Sequence, residues 1–219
     1  MTDAAMDPHG NQPALVYGAP LDTAKTVMIM IHGRGAGPRD ILSLAPALNR
    51  PEFACIAPGA QGGTWYPYSF MSPRGNNEPG ISSALSVIDA IVTDLLSRGF
   101  PSHKIVLVGF SQGACLSSEF CLRHPRRYGG LIAFSGGLIG PPGTTWDDVT
   151  TKLDGMPIFL GCSDIDGHIP KERVIESEGV FTRLGARVTR KLYPGMGHLV
   201  NDDEIREGQK LLDGVLKST

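Results

Sequence analysis

The chain has 219 residues, of which 41% are hydrophobic and 19% charged, and its formal net charge is −2. That composition supports one buried core without disulfides or metals, excludes a disordered chain, and suits a single domain. A charge so near zero supplies no attraction to nucleic acid or to an anionic membrane surface.

Residues 1–13 hold two acids, no Lys or Arg and no apolar stretch, so they are expected to be a flexible tail rather than a signal peptide. Apolar runs such as Val27-Met28-Ile29-Met30-Ile31 are strand-sized. They fall short of the roughly 18 residues of a membrane-spanning helix, so no integral membrane association is expected. Cys55, Cys115, Cys121 and Cys162 lack metal-type or redox-type spacing. They read as buried, reduced thiols of a cytoplasmic protein.

In chain order, residues 27–31 form a strand that enters the glycine-rich turn His32-Gly33-Arg34-Gly35-Ala36-Gly37. Ile41, Leu44, Ala45 and Leu48 then fall on one helical face across residues 38–48. A strand over 53–57 stops at Pro58, and residues 58–80 form a loop that carries Trp65, Tyr66, Tyr68 and Phe70. A helix over 82–98 ends at Gly99, and the apolar strand 105–108 runs through Gly109-Phe110 into a helix from 111 to about 123. Strands follow at 131–134, 158–161 and 188–192, with helices near 171–184 and 202–216. Such alternation predicts one α/β domain: a mostly parallel sheet covered by helices on both faces, with little or no cap.

Gly109-Phe110-Ser111-Gln112-Gly113 sits between a strand and a helix, the context in which a sharp turn lifts a nucleophilic serine above a sheet. An N-capping serine is the structural alternative. A serine nucleophile needs a base oriented by an acid, here in the order Ser, acid, His. His198 follows Ser111 in the glycine-framed loop Tyr193-Pro194-Gly195-Met196-Gly197-His198. His9, His103 and His124 suit solvent-facing positions, whereas His168 shares a loop with Asp164 and Asp166. Either aspartate could be the acid, and the three together could also ligate a metal. The turn at 32–35 can aim the backbone N–H groups of Arg34 and Gln112 at an oxyanion, or be only a tight turn or a phosphate-binding loop. Without a full GxGxxG and a downstream acid it does not predict dinucleotide binding. The aromatic loop is either a packed lid or an apolar wall formed by Trp65, Tyr66 and Phe70.

Residues 27–200 resemble the phospholipase/carboxylesterase family of α/β-hydrolases, the group that includes acyl-protein thioesterases. The resemblance rests on Met30-Ile31-His32-Gly33-Arg34-Gly35, on Ile105-Val106-Leu107-Val108-Gly109-Phe110-Ser111-Gln112-Gly113, on Ser163-Asp164-Ile165-Asp166-Gly167-His168-Ile169-Pro170, and on Gly197-His198. In that family the acid lies four residues before the loop proline, here Pro170, so the resemblance implies Asp166. Two segments depart from the thioesterases: Arg34-Gly35-Ala36 stands in place of Leu-Gly-Asp, and residues 64–70 in place of a Trp-Phe-Asp loop. The His-Gly-Arg-Gly form is similar to a bacterial branch of small-molecule esterases. The resemblance implies a serine carboxylesterase acting on short- to medium-chain esters, with no cofactor or metal. An acyl-protein thioesterase, a lysophospholipase or an inactive binding protein on the same scaffold are its rivals. A small-molecule ester or thioester is the expected partner, and a homodimer is compatible with the chain.

Overall fold

A computed structural model describes residues 7–48 and 50–217. Seven strands form one sheet: β1 (Ala14–Gly18), β2 (Thr26–Ile31), β3 (Phe53–Pro58), β4 (Ile105–Phe110), β5 (Gly130–Phe134), β6 (Pro157–Ser163) and β7 (Arg187–Tyr193). Their order is β1-β3-β2-β4-β5-β6-β7, with every neighbouring pair parallel except β1 against β3. The helices are α1 (Pro38–Leu42), α2 (Ala45–Leu48), α3 (Gly80–Ser97), α4 (Gln112–Arg123), α5 (Lys171–Arg183) and α6 (Asp202–Lys217).

Alternation along the strands divides the core in two. Val27, Ile29 and Ile31 of β2 pack with the α3, α4 and α5 layer, whereas Met28 and Met30 pack with α1, α2 and α6. The same alternation places Ile105 and Leu107 of β4 on the first face and Val106 and Val108 on the second. Each such aliphatic side chain, taken fully from water, contributes roughly 1.5–3 kcal/mol before chain entropy is charged against it. Connections leave β2 toward β3 on one side and return to β4 on the other. Strand order therefore reverses there, which opens a crevice at the carboxyl edge of the sheet.

Four expectations change. The helix expected over 38–48 is broken into α1 and α2, because Pro46 cannot donate to the carbonyl four residues back. Residues 14–18, left without an element by the sequence, form an edge strand with Val16 and Tyr17 exposed. Helix α3 is long and apolar enough to cross a membrane by length and composition, yet Ile81, Ala84, Leu85, Ile88, Val92 and Leu95 bury it against the sheet. Finally, residues 7–13 of the expected tail lie against the domain, while residues 1–6 are outside the described residues. His9, expected in solvent, is 3% exposed. Its backbone N–H donates to Ser83 Oγ, which donates to Asp7 Oδ1.

At the start of α6, Asn201 Oδ1 accepts from the Glu204 N–H and Glu204 Oε2 from the Asn201 N–H, each at 2.9 Å, a reciprocal cap. The second carboxylate oxygen, Oε1, is buried beside Gly161 without a partner among the described residues. Burial, with Asp203 and Asp166 nearby, pushes Glu204 up to about 7 from an ordinary 4.5. The folded protein then holds a proton that the unfolded chain releases, so stability falls as pH rises from about 4.5 to about 7, by on the order of 3 kcal/mol. Glu204→Gln is expected to flatten the fall in melting temperature between about pH 5 and about pH 8. An unchanged pH profile in that variant would remove Glu204 as its source.

Candidate active site

Four loops that leave the carboxyl edge of the sheet converge on Ser111. The serine sits between β4 and α4 at φ 55°, ψ −120°, a backbone region that costs a non-glycine residue roughly 1–3 kcal/mol. The glycines on either side are obligatory for space. A Cβ at Gly109 would run into the Gly113 carbonyl, and one at Gly113 into the Ile31 and His32 carbonyls at the end of β2. Ser111 anchors its own N–H to the Phe134 carbonyl at 2.9 Å, and its hydroxyl makes no capping bond. The capping alternative is thereby set aside, and the hydroxyl is left available.

It meets His198, whose Nε2 lies 2.9 Å from Ser111 Oγ. The other ring nitrogen, Nδ1, lies 2.7 Å from Asp166 Oδ2. The Asp166 side chain is fully buried, and that burial is the largest influence on it, acting to raise its pKa. Hydrogen bonds from His198 and from the backbone N–H groups of His168 and Ile169 outweigh it and hold the carboxyl below the ordinary carboxylate range. An ionised Asp166 can only accept, which puts the ring proton on Nδ1 and leaves Nε2 as the acceptor for the serine.

Asp164 has a different task. Its Oδ1 accepts from the Gly195 N–H at 2.8 Å, its N–H donates to the Tyr193 carbonyl, and neighbouring Ser163 Oγ accepts from the Gly197 N–H at 3.0 Å. These bonds tether the loop that carries His198, whose Gly195 and Gly197 have φ of 66° and 80°. The two aspartates thus point to separate partners. His168 is exposed beside the site, its ring 4.8 Å from that of His198.

The cavity at this edge has a volume of about 570 Å³ and is lined by Gly33, Arg34, Ser111, Gln112 and His198 together with Tyr66, Tyr68, Phe70 and Cys115. Gln112 opens α4, so its N–H has no acceptor within the helix, and both Gln112 and Arg34 line the cavity. The turn before Arg34 is fixed by buried His32. Its Nε2 accepts from the Ala60 N–H, and its Nδ1 donates to the Gly33 carbonyl at 2.8 Å. Burial lowers the pKa of His32, so the ring stays neutral in this role. Cys115, also on the wall, is pushed up to about 12 by burial, which leaves an inert thiol next to the serine.

Two side chains that sequence reasoning assigned only for their backbone also hold the aromatic loop. Gln112 accepts from the Trp65 N–H at 2.9 Å and donates to the Tyr66 carbonyl at 2.8 Å. Arg34 donates to the Pro67 carbonyl at 2.8 Å and the Tyr68 carbonyl at 2.7 Å. Four consecutive loop residues are thereby bonded to the two residues expected to form the oxyanion site. Tyr66 and Phe70 line the cavity, whereas Trp65, expected beside them, does not. Its ring is fully buried beneath the loop, between His9 and His32, and its indole N–H donates to the His32 carbonyl at 3.0 Å. A bonded indole N–H at that depth explains why the ring turns inward instead of forming a wall.

A doubly wound, mostly parallel sheet with a serine on its sharp strand–helix turn, and with an aspartate and a histidine later in the chain, defines the α/β-hydrolase fold. The profile of the phospholipase/carboxylesterase family matches residues 14–216, and the chain belongs to that family of hydrolases. It is 38% identical to a solved phospholipase/carboxylesterase from Dyadobacter fermentans, with a TM-score of 0.88 over 94% of this chain and 97% of that one. It is 29% identical over 213 residues to the acyl-protein thioesterase 1 of Kluyveromyces lactis, covering 89% of this chain and 93% of that protein. The match to the acyl-protein thioesterase 1 of Eremothecium gossypii is 28% identical over 137 residues, 61% of this chain, and spans 57% of that protein.

The buried position of Trp65 makes it a stability residue. Trp65→Ala is expected to cost about 3–5 kcal/mol in urea unfolding. Tyr68→Ala, at a side chain 60% exposed on the cavity lip, should stay within about 0.5 kcal/mol of the parent. Equal stabilities for the two variants would show that the indole is not buried as described.

Proposed function

We propose that this protein is a serine carboxylesterase that hydrolyses short- to medium-chain esters through an acyl-enzyme. The observation that carries the reading is the continuous hydrogen-bonded chain Asp166–His198–Ser111, with links of 2.7 Å and 2.9 Å, opening on a cavity that Arg34 and Gln112 also line. As Ser111 Oγ attacks the ester carbonyl carbon, its proton passes to His198 Nε2, and Asp166 stabilises the imidazolium. The negative charge that develops on the carbonyl oxygen is met by the backbone N–H groups of Arg34 and Gln112. Collapse breaks the bond to the leaving oxygen, or to sulfur in a thioester, and His198 protonates the departing group. Water then attacks the acyl-serine, giving its proton to His198, and the carboxylic acid leaves as Ser111 is restored. A binding protein that had lost catalysis would have no need of this serine–imidazole–carboxylate alignment. The four buried free thiols suit a reducing, cytoplasmic setting.

The yeast relatives named as acyl-protein thioesterases support a second reading, hydrolysis of long acyl thioesters. The two readings part on chain length. The aromatic loop carries Pro67 and Pro73, which stiffen it into a shallow wall. With about 0.8 kcal/mol gained per buried methylene, kcat/KM should climb roughly fourfold per carbon from acetate to about butyrate or hexanoate and then level off. Continued gain out to palmitoyl esters or thioesters would favour the thioesterase reading.

The mechanism itself is tested by mutation. Ser111→Ala and His198→Ala should each abolish most of kcat, and the double variant should lose little more, because the residues act as a unit. Asp166→Asn favours the wrong imidazole tautomer and should cost on the order of 10⁴ in kcat, as in the serine-protease template. Asp164→Asn should be far milder, since it loosens only the loop. Additive losses, or a more damaging change at 164 than at 166, would contradict these assignments.

A further inference from the structure

The charge lining the cavity is lopsided. Arg34 is its permanently charged residue, and among the described lining residues there is no Asp or Glu. Arg34 differs from Arg74, Arg123, Arg173 and Arg190, each of which is ion-paired with a glutamate. Its own hydrogen-bond partners are the Pro67 and Tyr68 carbonyls, and its guanidinium lies over the Tyr66 ring, 5.8 Å from the centroid. Arg34, Tyr66, Pro67 and Tyr68 all line the cavity, and these bonds hold the exposed guanidinium along that rim. Carbonyl oxygens orient a guanidinium but leave its full positive charge uncancelled. Two of its five N–H donors are engaged there, which leaves the others for a ligand. The result is a cation fixed in place before substrate arrives, at the mouth of the site that holds Ser111.

From this placement we infer that the site selects esters that also carry an anionic group, a carboxylate or a phosphate, and that Arg34 is the anchor for that group. A planar guanidinium matches either anion, and the interaction is strengthened because the side chain is already held and need not be ordered on binding. The anion can sit on the acyl or the alcohol portion of the ester, and both place the same chemistry against Arg34. The inference rests on the reading of Ser111 as the nucleophile.

Matched ester pairs test it. On the acyl side, the para-nitrophenyl monoester of adipate is compared with para-nitrophenyl hexanoate. On the alcohol side, meta-acetoxybenzoate is compared with meta-acetoxybenzamide. In the parent protein the charged member of at least one pair should have the higher kcat/KM, by about tenfold, the worth of one charge-assisted hydrogen bond. In Arg34→Met that ratio should fall to about one, whatever happens to the absolute rate, and Arg34→Lys should keep only part of it, because the charge remains while the planar, carbonyl-held fork is lost. The pair that shows the preference identifies which side of the ester bears the anion. A neutral preference in both pairs, or a charged preference that survives in Arg34→Met, overturns the inference. If the neutral esters are still hydrolysed in a Ser111-dependent manner, the esterase reading survives that failure. If no ester is hydrolysed through Ser111, both fall.

Discussion

The site depends on how closely the first turn of α4 approaches the strands beneath it. Gly109 and Gly113 leave no room for a Cβ, because the helix backbone packs on the end of β4 and on the Ile31 and His32 carbonyls at the end of β2. That approach bends the chain at Ser111 into a left-handed conformation and raises its hydroxyl above the edge of the sheet. It also brings the free N–H of Gln112, at the positive end of the helix, next to the turn that follows β2. A methyl group at either glycine would push the helix away and displace the Ser111 hydroxyl and the cavity wall together. The strain at Ser111 is small beside the burial of α4, whose residues from Gln112 to Leu122 are all buried.

Around this turn the protein builds a rigid rim from chain segments distant in sequence. Gln112 and Arg34 hold residues 65–68 from one side, and His9 Nε2 holds the Trp65 carbonyl from the other at 2.8 Å. Asn77 adds bonds to the Tyr68 N–H and the Ser69 carbonyl, and Arg74 ties the same segment to buried Glu119 on α4. Such cross-bonding fixes the loop before substrate binds, so little binding energy is spent on ordering it. The same bonds couple the wall of the cavity to Gln112 and Arg34, so displacing the loop pulls on both residues. The histidine loop is tied in a similar way, through Ser163 and Asp164 at the end of β6.

Much of this could be read from the sequence, because its signals are local. The strand–GxSxG–helix pattern located Ser111, and a glycine-framed loop late in the chain located His198. The choice between Asp164 and Asp166 came from the family resemblance and not from the residues, since both are two-atom carboxylates in one loop. Geometry now separates them by partner, Asp166 to His198 and Asp164 to Gly195. What stayed hidden was long-range. Trp65 looked like a wall because aromatic content says nothing about which way a ring turns. Its direction is set by His32, thirty-three positions away. His9 lies in a polar stretch that gives no periodic signal, and its burial comes from contacts with residues 61, 65 and 83. The second uses of Gln112 and Arg34 were invisible because each bonds to backbone, which leaves no trace in side-chain chemistry. Strand β1 was missed because an exposed edge strand lacks the alternation that marks a half-buried one.

The central claim is that Ser111 is the one nucleophile, activated through His198 and Asp166. Its most direct test is intact-mass analysis after reaction with a fluorophosphonate, followed by peptide mapping. The account predicts a single adduct per chain, located on Ser111, whose rate of formation collapses when His198 is replaced. No adduct, or an adduct on any other residue at comparable rate, would contradict it.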